Sequence, residues 1–210
     1  MGQEPIPVLS RTHSLKILAV SDFIDQALTQ KVEENLLPPI DLIISCGDLP
    51  PEYLSFLRNR LHSPLFYVKG NHDIRYTRSN TAGCEDIHGR VLRFKTLNIM
   101  GIEGSMWYNG GPNQYTEAEM KNKLFWMGFK AFRRRPLHLV VTHAPPRHIH
   151  DREDLCHTGF EAFVRLIKKH CPEVFLHGHI HDAFEAFKDR TTQVDRTMVV
   201  NTCGHTIFEV

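Results

Sequence analysis

Five short apolar runs in this chain each lead into side chains that can hold a metal ion, and this repetition constrains the fold more than any other feature. Residues 17–20 run into Asp22, residues 42–44 into Gly47-Asp48, and residues 65–68 into Gly70-Asn71-His72-Asp73. Farther on, residues 137–141 precede His143, and residues 174–176 precede Gly178-His179-Ile180-His181. Apolar runs of this length read as strands buried on both faces. Side chains just past neighbouring parallel strands converge at one sheet edge, where ligands gather. Carboxylate, amide oxygen and imidazole together suit Mn²⁺, Fe, Zn²⁺ or Ni²⁺ and disfavour Ca²⁺. One carboxylate can bridge two such ions, and ions roughly 3.5–4 Å apart can hold a bridging hydroxide and clamp a phosphoryl group for in-line attack.

The spacing between these runs predicts a βαβαβ opening and hence an α/β protein with a parallel sheet. Strands are expected over 15–20, 41–45 and 65–68, with helices over 27–36 and from Pro51 to 61, after an extended lead-in over 1–14. Leu28, Val32 and Leu36 lie four apart on the first helix. Residues 75–89 read as loop, and 91–94 with 97–102 as a hairpin. Thr116 and Glu119 form a capping-box pattern that opens a helix to about 132. Phe125, Trp126, Phe129 and Phe132 on that helix read as core or packing residues. A strand over 137–141, a loop through His157, a helix over 160–170 and strands over 174–176, 184–187, 197–200 and 206–210 complete the chain. One domain over 1–210 is expected.

Composition narrows the functions. Twenty-five Lys+Arg against 24 Asp+Glu leave a formal charge of +1, so no global basic field speaks for nucleic acid. The local basic run 130–135 reads as a solvated helix end. Without an apolar stretch near the ~20 residues of a membrane span, or the pattern of a signal peptide, a cytoplasmic protein without a membrane partner is expected. Five cysteines without C-x-x-C spacing read as reduced thiols, with Cys46 a packed one. The 14 histidines are the anomaly and reinforce the metal reading. Trp107 and Tyr108, on a Gly-rich stretch, read equally as a grip on substrate or as loop packing. No glycine pattern forms a P-loop or dinucleotide fingerprint.

Gly47-Asp48, then Gly70-Asn71-His72-Asp73, then His143 after a strand, then Gly178-His179-Ile180-His181 resemble the calcineurin-like metallophosphoesterase superfamily. The resemblance runs from Lys16 to the C-terminus and points to the small stand-alone phosphoesterase or phosphodiesterase type. It implies a four-layer α/β/β/α sandwich with two central mixed sheets. It also implies two divalent ions, Mn first and Fe, Zn or Ni next, acting on a small phosphoester, with a diester favoured over a monoester. Asp48 would bridge the ions; Asn71, His143 and His179 would complete one site, and Asp22 and His181 the other. His72 would contact the phosphate and protonate the leaving oxygen, and Asp73 would hydrogen-bond its imidazole.

One position departs from the pattern. The superfamily's first motif is Asp-x-His, and here it is Asp22-Phe23-Ile24. An apolar side chain cannot ligate, so the first site is expected to bind more weakly. Asp25, or His150, Asp151 and His157 on the loop after His143, are candidates to compensate. Ile24 also supports an alternative of a different class, a non-catalytic scaffold on the same fold.

Overall fold

The computed structural model describes residues 14–77, 81–184 and 186–210. The expected lead-in over 1–14 lies outside them, apart from Ser14.

The buried runs form strands whose two faces are both apolar. In β1 (Lys16–Ser21), Ile17 and Ala19 face one way and Leu18 and Val20 the other. β2 (Leu42–Ser45), β3 (Leu65–Tyr67) and β4 (Cys84–Asp86) follow in parallel, and β13 (Gly204–Glu209) closes the other edge antiparallel to β1, giving the order β13-β1-β2-β3-β4. The second sheet contains β5 (Arg90–Phe94), β6 (Leu97–Ile102), β9 (Leu139–Thr142), β10 (Val174–His177), β11 (Thr191–Val194) and β12 (Thr197–Asn201), in the order β11-β12-β10-β9-β6-β5. Its four inner strands are parallel, and β11 and β5 pair antiparallel at the edges. Short strands β7 (Ser105–Met106) and β8 (Gln114–Tyr115) brace the Gly-rich loop.

Three apolar clusters make the layers. Ile17, Ala19, Ile44 and Phe66 of the first sheet meet Ile99, Leu139, Leu176 and Val200 of the second in the centre. Outside the first sheet, α1 (Gln26–Glu33) and α2 (Pro51–Leu61) cover Leu18, Val20 and Ile43 with Leu28, Val32 and Leu54. Outside the second, α3 (Glu117–Arg133) and α4 (Glu161–His170) cover Val140, Phe175 and Val199 with Met120, Met127, Phe163 and Ile167. This is the expected α/β/β/α order, with two mixed sheets inside. No helix of the described residues is long and apolar enough to cross a membrane.

Four expectations differ. Helix α1 ends at Glu33, because Asn35 turns left-handed (φ 55°) and the N–H groups of Asn35 and Leu36 cap Val32 and Lys31 in a Schellman arrangement; Leu36 is therefore exposed. Strand β4 lies inside the expected loop. Its Cys-Glu-Asp sequence is polar because it is an edge strand that buries little. The described residues of the strand expected over 184–187 (184, 186 and 187) form none: Asp189 accepts the Ala186 N–H and turns Phe187–Arg190 into a 3₁₀ segment, so pairing begins at Thr191. The aromatic residues of α3 are not in the core. Phe125, Trp126, Phe129 and Phe132 are 60, 63, 58 and 64% exposed, because Met120, Met127 and Ala131 take the buried face.

Candidate metal centre

Each candidate ligand sits just beyond the C-terminal end of a strand. Asp22 follows β1, Asp48 follows β2 and Asn71 follows β3 in the first sheet, while His143 follows β9 and His179 follows β10 in the second. Asp22, Asp48 and His179 all adopt left-handed backbone (φ 71°, 58° and 69°), which turns their side chains back over the strand ends at a cost of about 1–2 kcal/mol per residue. Close approach requires glycine beside them. A Cβ on Gly70 would meet Asp48 Oδ1 at 2.1 Å, and one on Gly178 would meet Ser21 Oγ at 2.7 Å.

The two sheets join at His143, which is fully buried. Its Nδ1–H donates to the Cys46 carbonyl at 2.8 Å, which fixes the ring and aims Nε2 into the site. Asp48 Oδ2 lies 3.2 Å from that nitrogen and Asn71 Oδ1 3.1 Å. Two acceptor oxygens and a nitrogen lone pair at these distances repel each other unless a proton or a cation lies among them. Burial disfavours a charged His143, but the Asp48 carboxylate outweighs it and holds the imidazole above its ordinary pKa. Reciprocally, burial would raise Asp48, yet His143 and the His72 N–H hold it well below the carboxylate range. The space among these three atoms fits a divalent ion, and the mixed oxygen and nitrogen donors match the metals expected.

His179 completes this group: ligand atoms of Asp48, His143 and His179 all lie within 4.8 Å of one another. Its Nε2–H donates to the Cys156 carbonyl at 2.6 Å, leaving Nδ1 free, and its N–H donates to Asp22 Oδ1 at 2.8 Å. Burial and the neighbouring His143 charge push its pKa down to about 3, so its imidazole is neutral and ready to ligate. The Asp22 side chain is buried beneath the more exposed His181, whose Nε2 is 3.5 Å from Asp22 Oδ1. Burial opposes ionisation of Asp22, but His181, His143 and the Ser21 hydroxyl (2.6 Å) hold it ionised.

His72 is exposed at the rim, beside Asp48, in a cleft shared with Leu49, Arg75 and Tyr76. Asp73 departs from expectation. Instead of the His72 imidazole, its carboxylate takes the main-chain N–H groups of Asp48 (2.7 Å) and Gly70 (2.8 Å) and so ties the first two loops together. Burial, then the Asp48 charge, raise Asp73 to about 7.

No candidate among the described residues takes the place of the first-motif histidine. Ile24 packs against the α1–α2 layer. Asp25 is the N-cap of α1, accepting from Ala27 and Leu28 N–H and pairing with His205 at 2.6 Å. His150 bonds His177 and Thr192, and Asp151 accepts from Arg147 and Gly159. His157 pairs with Asp154, and with Cys156 these form a second, more exposed cluster next to His179.

Several supports carry no clear signal in the sequence. Cys46 is a packed thiol, pushed up to about 12 by burial, yet its carbonyl orients His143. Tyr108 accepts the Asn71 Nδ2–H at 3.2 Å, and Asn113 donates to the Gly70 carbonyl. The Gly-rich character of their stretch is the one pointer to either.

Comparisons with known proteins bear on the family and the fold. The family described as calcineurin-like phosphoesterase matches residues 15–183. No curated protein matches the chain. One solved structure superposes with a TM-score of 0.64 at 17% identity, over 94% of this chain and 95% of that one. TT1561 of Thermus thermophilus superposes with a TM-score of 0.62 at 16% identity, over 91% of this chain and 90% of that one. Both likenesses concern the fold.

Proposed function

Because the chain belongs to the calcineurin-like phosphoesterase family, we propose that it is a metal-dependent phosphoester hydrolase and, more narrowly, a phosphodiesterase acting on a small phosphoester. The observation that carries this reading is the convergence of Asp48 Oδ2 and Asn71 Oδ1 on His143 Nε2, with the far side of the ring anchored to a carbonyl. Asp48, Asn71, His143 and His179 would hold one ion, and Asp22, Asp48 and His181 a second, weaker one. Bound there, divalent ions would supply Lewis-acid polarisation of the phosphoryl group and activation of water.

The chain's own groups do the rest. Asp73 holds the Gly70 and Asp48 loops in register, so Asp48 keeps its orientation. The His72 N–H fixes Asp48 Oδ1, and its imidazole, exposed at the rim, would contact the phosphate and give a proton to the leaving ester oxygen. The Ile24 departure favours a second reading, a scaffold with no turnover, because position 24 faces the helix layer rather than the site.

Hydrolysis of bis(p-nitrophenyl) phosphate and p-nitrophenyl phosphate decides between them. Metal-stripped protein should regain turnover with Mn²⁺, prefer the diester, and lose about 10²-fold or more of it in His72→Ala. A scaffold would show no turnover with any divalent ion and would not notice that substitution.

A further inference from the structure

Beyond the phosphoesterase reading, the outer face of α3 invites a partner. Helix α3 turns about 100° per residue, which puts Met120, Met127 and Ala131 on one line and Phe125, Phe129 and Phe132 nearly opposite, with Trp126 one step round. The four rings therefore form a ridge pointing away from the core, each more than half exposed. Phe125 also packs edge to face on Trp126 at 5.5 Å and on Phe129 at 5.3 Å. Isolated exposed apolar side chains are ordinary, but a contiguous aromatic ridge is not.

Cations surround this ridge. Lys121 and Lys130 flank it along α3, Arg133, Arg134 and Arg135 follow its end, and Arg165, Lys168 and Lys169 are exposed on neighbouring α4. The acidic residues of the two helices, Glu117, Glu119 and Glu161, are confined to their N-terminal turns, away from the ridge's basic end. In a chain of net charge +1 this is a local concentration of positive charge. A groove beside the ridge is lined by Phe125, Phe129 and Phe132 of α3, by Arg135, which stacks on Phe132 at 4.7 Å, and by Lys169 and His170 of α4, so an acyl chain and its anionic headgroup each find a match.

We propose that this face docks the protein on the surface of an anionic lipid bilayer, with the rings at the headgroup–acyl boundary and the Lys and Arg side chains on lipid phosphates. A second copy of the chain is disfavoured as the occupant, since a two-fold contact would press the same cations against each other. The expectation of no membrane partner rests on the absence of a spanning segment. Surface docking needs none.

The test uses the whole protein and vesicles of phosphatidylcholine, with or without about one-third phosphatidylglycerol. The chain has two tryptophans, so Trp107→Phe leaves Trp126 as the reporter. Cosedimentation with the anionic vesicles, a blue shift of Trp126 emission and release by high salt are expected. Phe129→Ser combined with Phe132→Ser should weaken binding about tenfold or more. These positions are exposed, and unchanged circular dichroism and melting would show that the fold survives. Equal binding to both vesicle types, or none to the anionic ones at low salt, overturns the proposal. So does a dimer in the ultracentrifuge that the double variant dissociates, since a second copy would then cover the face.

Discussion

At the scale of single residues, the candidate centre depends on orientation more than on donor identity. An asparagine amide ligates through oxygen only if its nitrogen is turned away, and Tyr108 sets that choice by accepting the Asn71 Nδ2–H. Tyr108→Phe keeps the ring and removes only this acceptor. It should weaken Mn²⁺ binding about tenfold, the usual effect of losing a group that orients a ligand, and titration calorimetry on metal-stripped protein measures it. Equal affinity in the variant would mean that Asn71 is oriented by something else. Gly70 is a stricter case, because any side chain there meets the Asp48 carboxylate. Gly70→Ala should displace Asp48 and abolish high-affinity binding, whereas Tyr108→Phe only reduces it.

At the scale of elements, Asp25 shows how a residue beside the site is claimed by local structure. Its carboxylate caps α1 and pairs with His205. Asp25→Ala should cost about 1 kcal/mol of stability, the ordinary value of an N-cap. Burial would raise the Asp25 pKa, but the His205 hydrogen bond and the capping N–H groups outweigh it and hold the carboxyl below its ordinary 3.8. A depressed carboxyl contributes stability that is full above the unfolded value and lost as pH falls through the folded one. The gap between wild type and Asp25→Ala in urea midpoint should therefore be largest near neutrality and close in the acid range; a gap unchanged on acidification would refute the capping account. Elements of this kind also mark where the sequence is readable. The buried strands and the Thr116–Glu119 capping box are legible because periodicity and capping chemistry are local, and the structure contains the box as expected. Strand β4 is not legible, since an edge strand such as Cys84-Glu85-Asp86 owes its state to pairing with Leu65–Tyr67 across a long connection. The aromatic ridge of α3 is hidden from sequence reading for a related reason. Four large rings look like core residues until the helix's rotation is fixed, and the less conspicuous Met120 and Met127 fix it.

At the scale of the whole molecule, the candidate centre ties the two sheets by polar groups at the edge of a layer whose centre is apolar. Asp22, Asp48 and Asn71 extend from the first sheet, His143 and His179 from the second, and the Cys46 carbonyl and Asp22 reach across to His143 and to the His179 main chain. This arrangement is only half legible: motif order locates the ligands, but nothing local says that a main-chain carbonyl after β2 would aim an imidazole after β9. An ion held by ligands from both sheets binds the folded chain and not the unfolded one, so it must stabilise the fold by mass action, about 2.7 kcal/mol at 100 times its dissociation constant. For a chain of 210 residues each kcal/mol moves the melting point about 2–4 °C. Mn²⁺ added to chelator-treated protein should thus raise the melting temperature by about 5–10 °C. His143→Ala removes the proposed ligand that joins the sheets and should abolish the rise, whereas His181→Ala, altering only the proposed second site, should retain most of it. If the metal stabilised wild type and His143→Ala alike, the ion would be binding elsewhere, with the Asp154–Cys156–His157 cluster the first place to look.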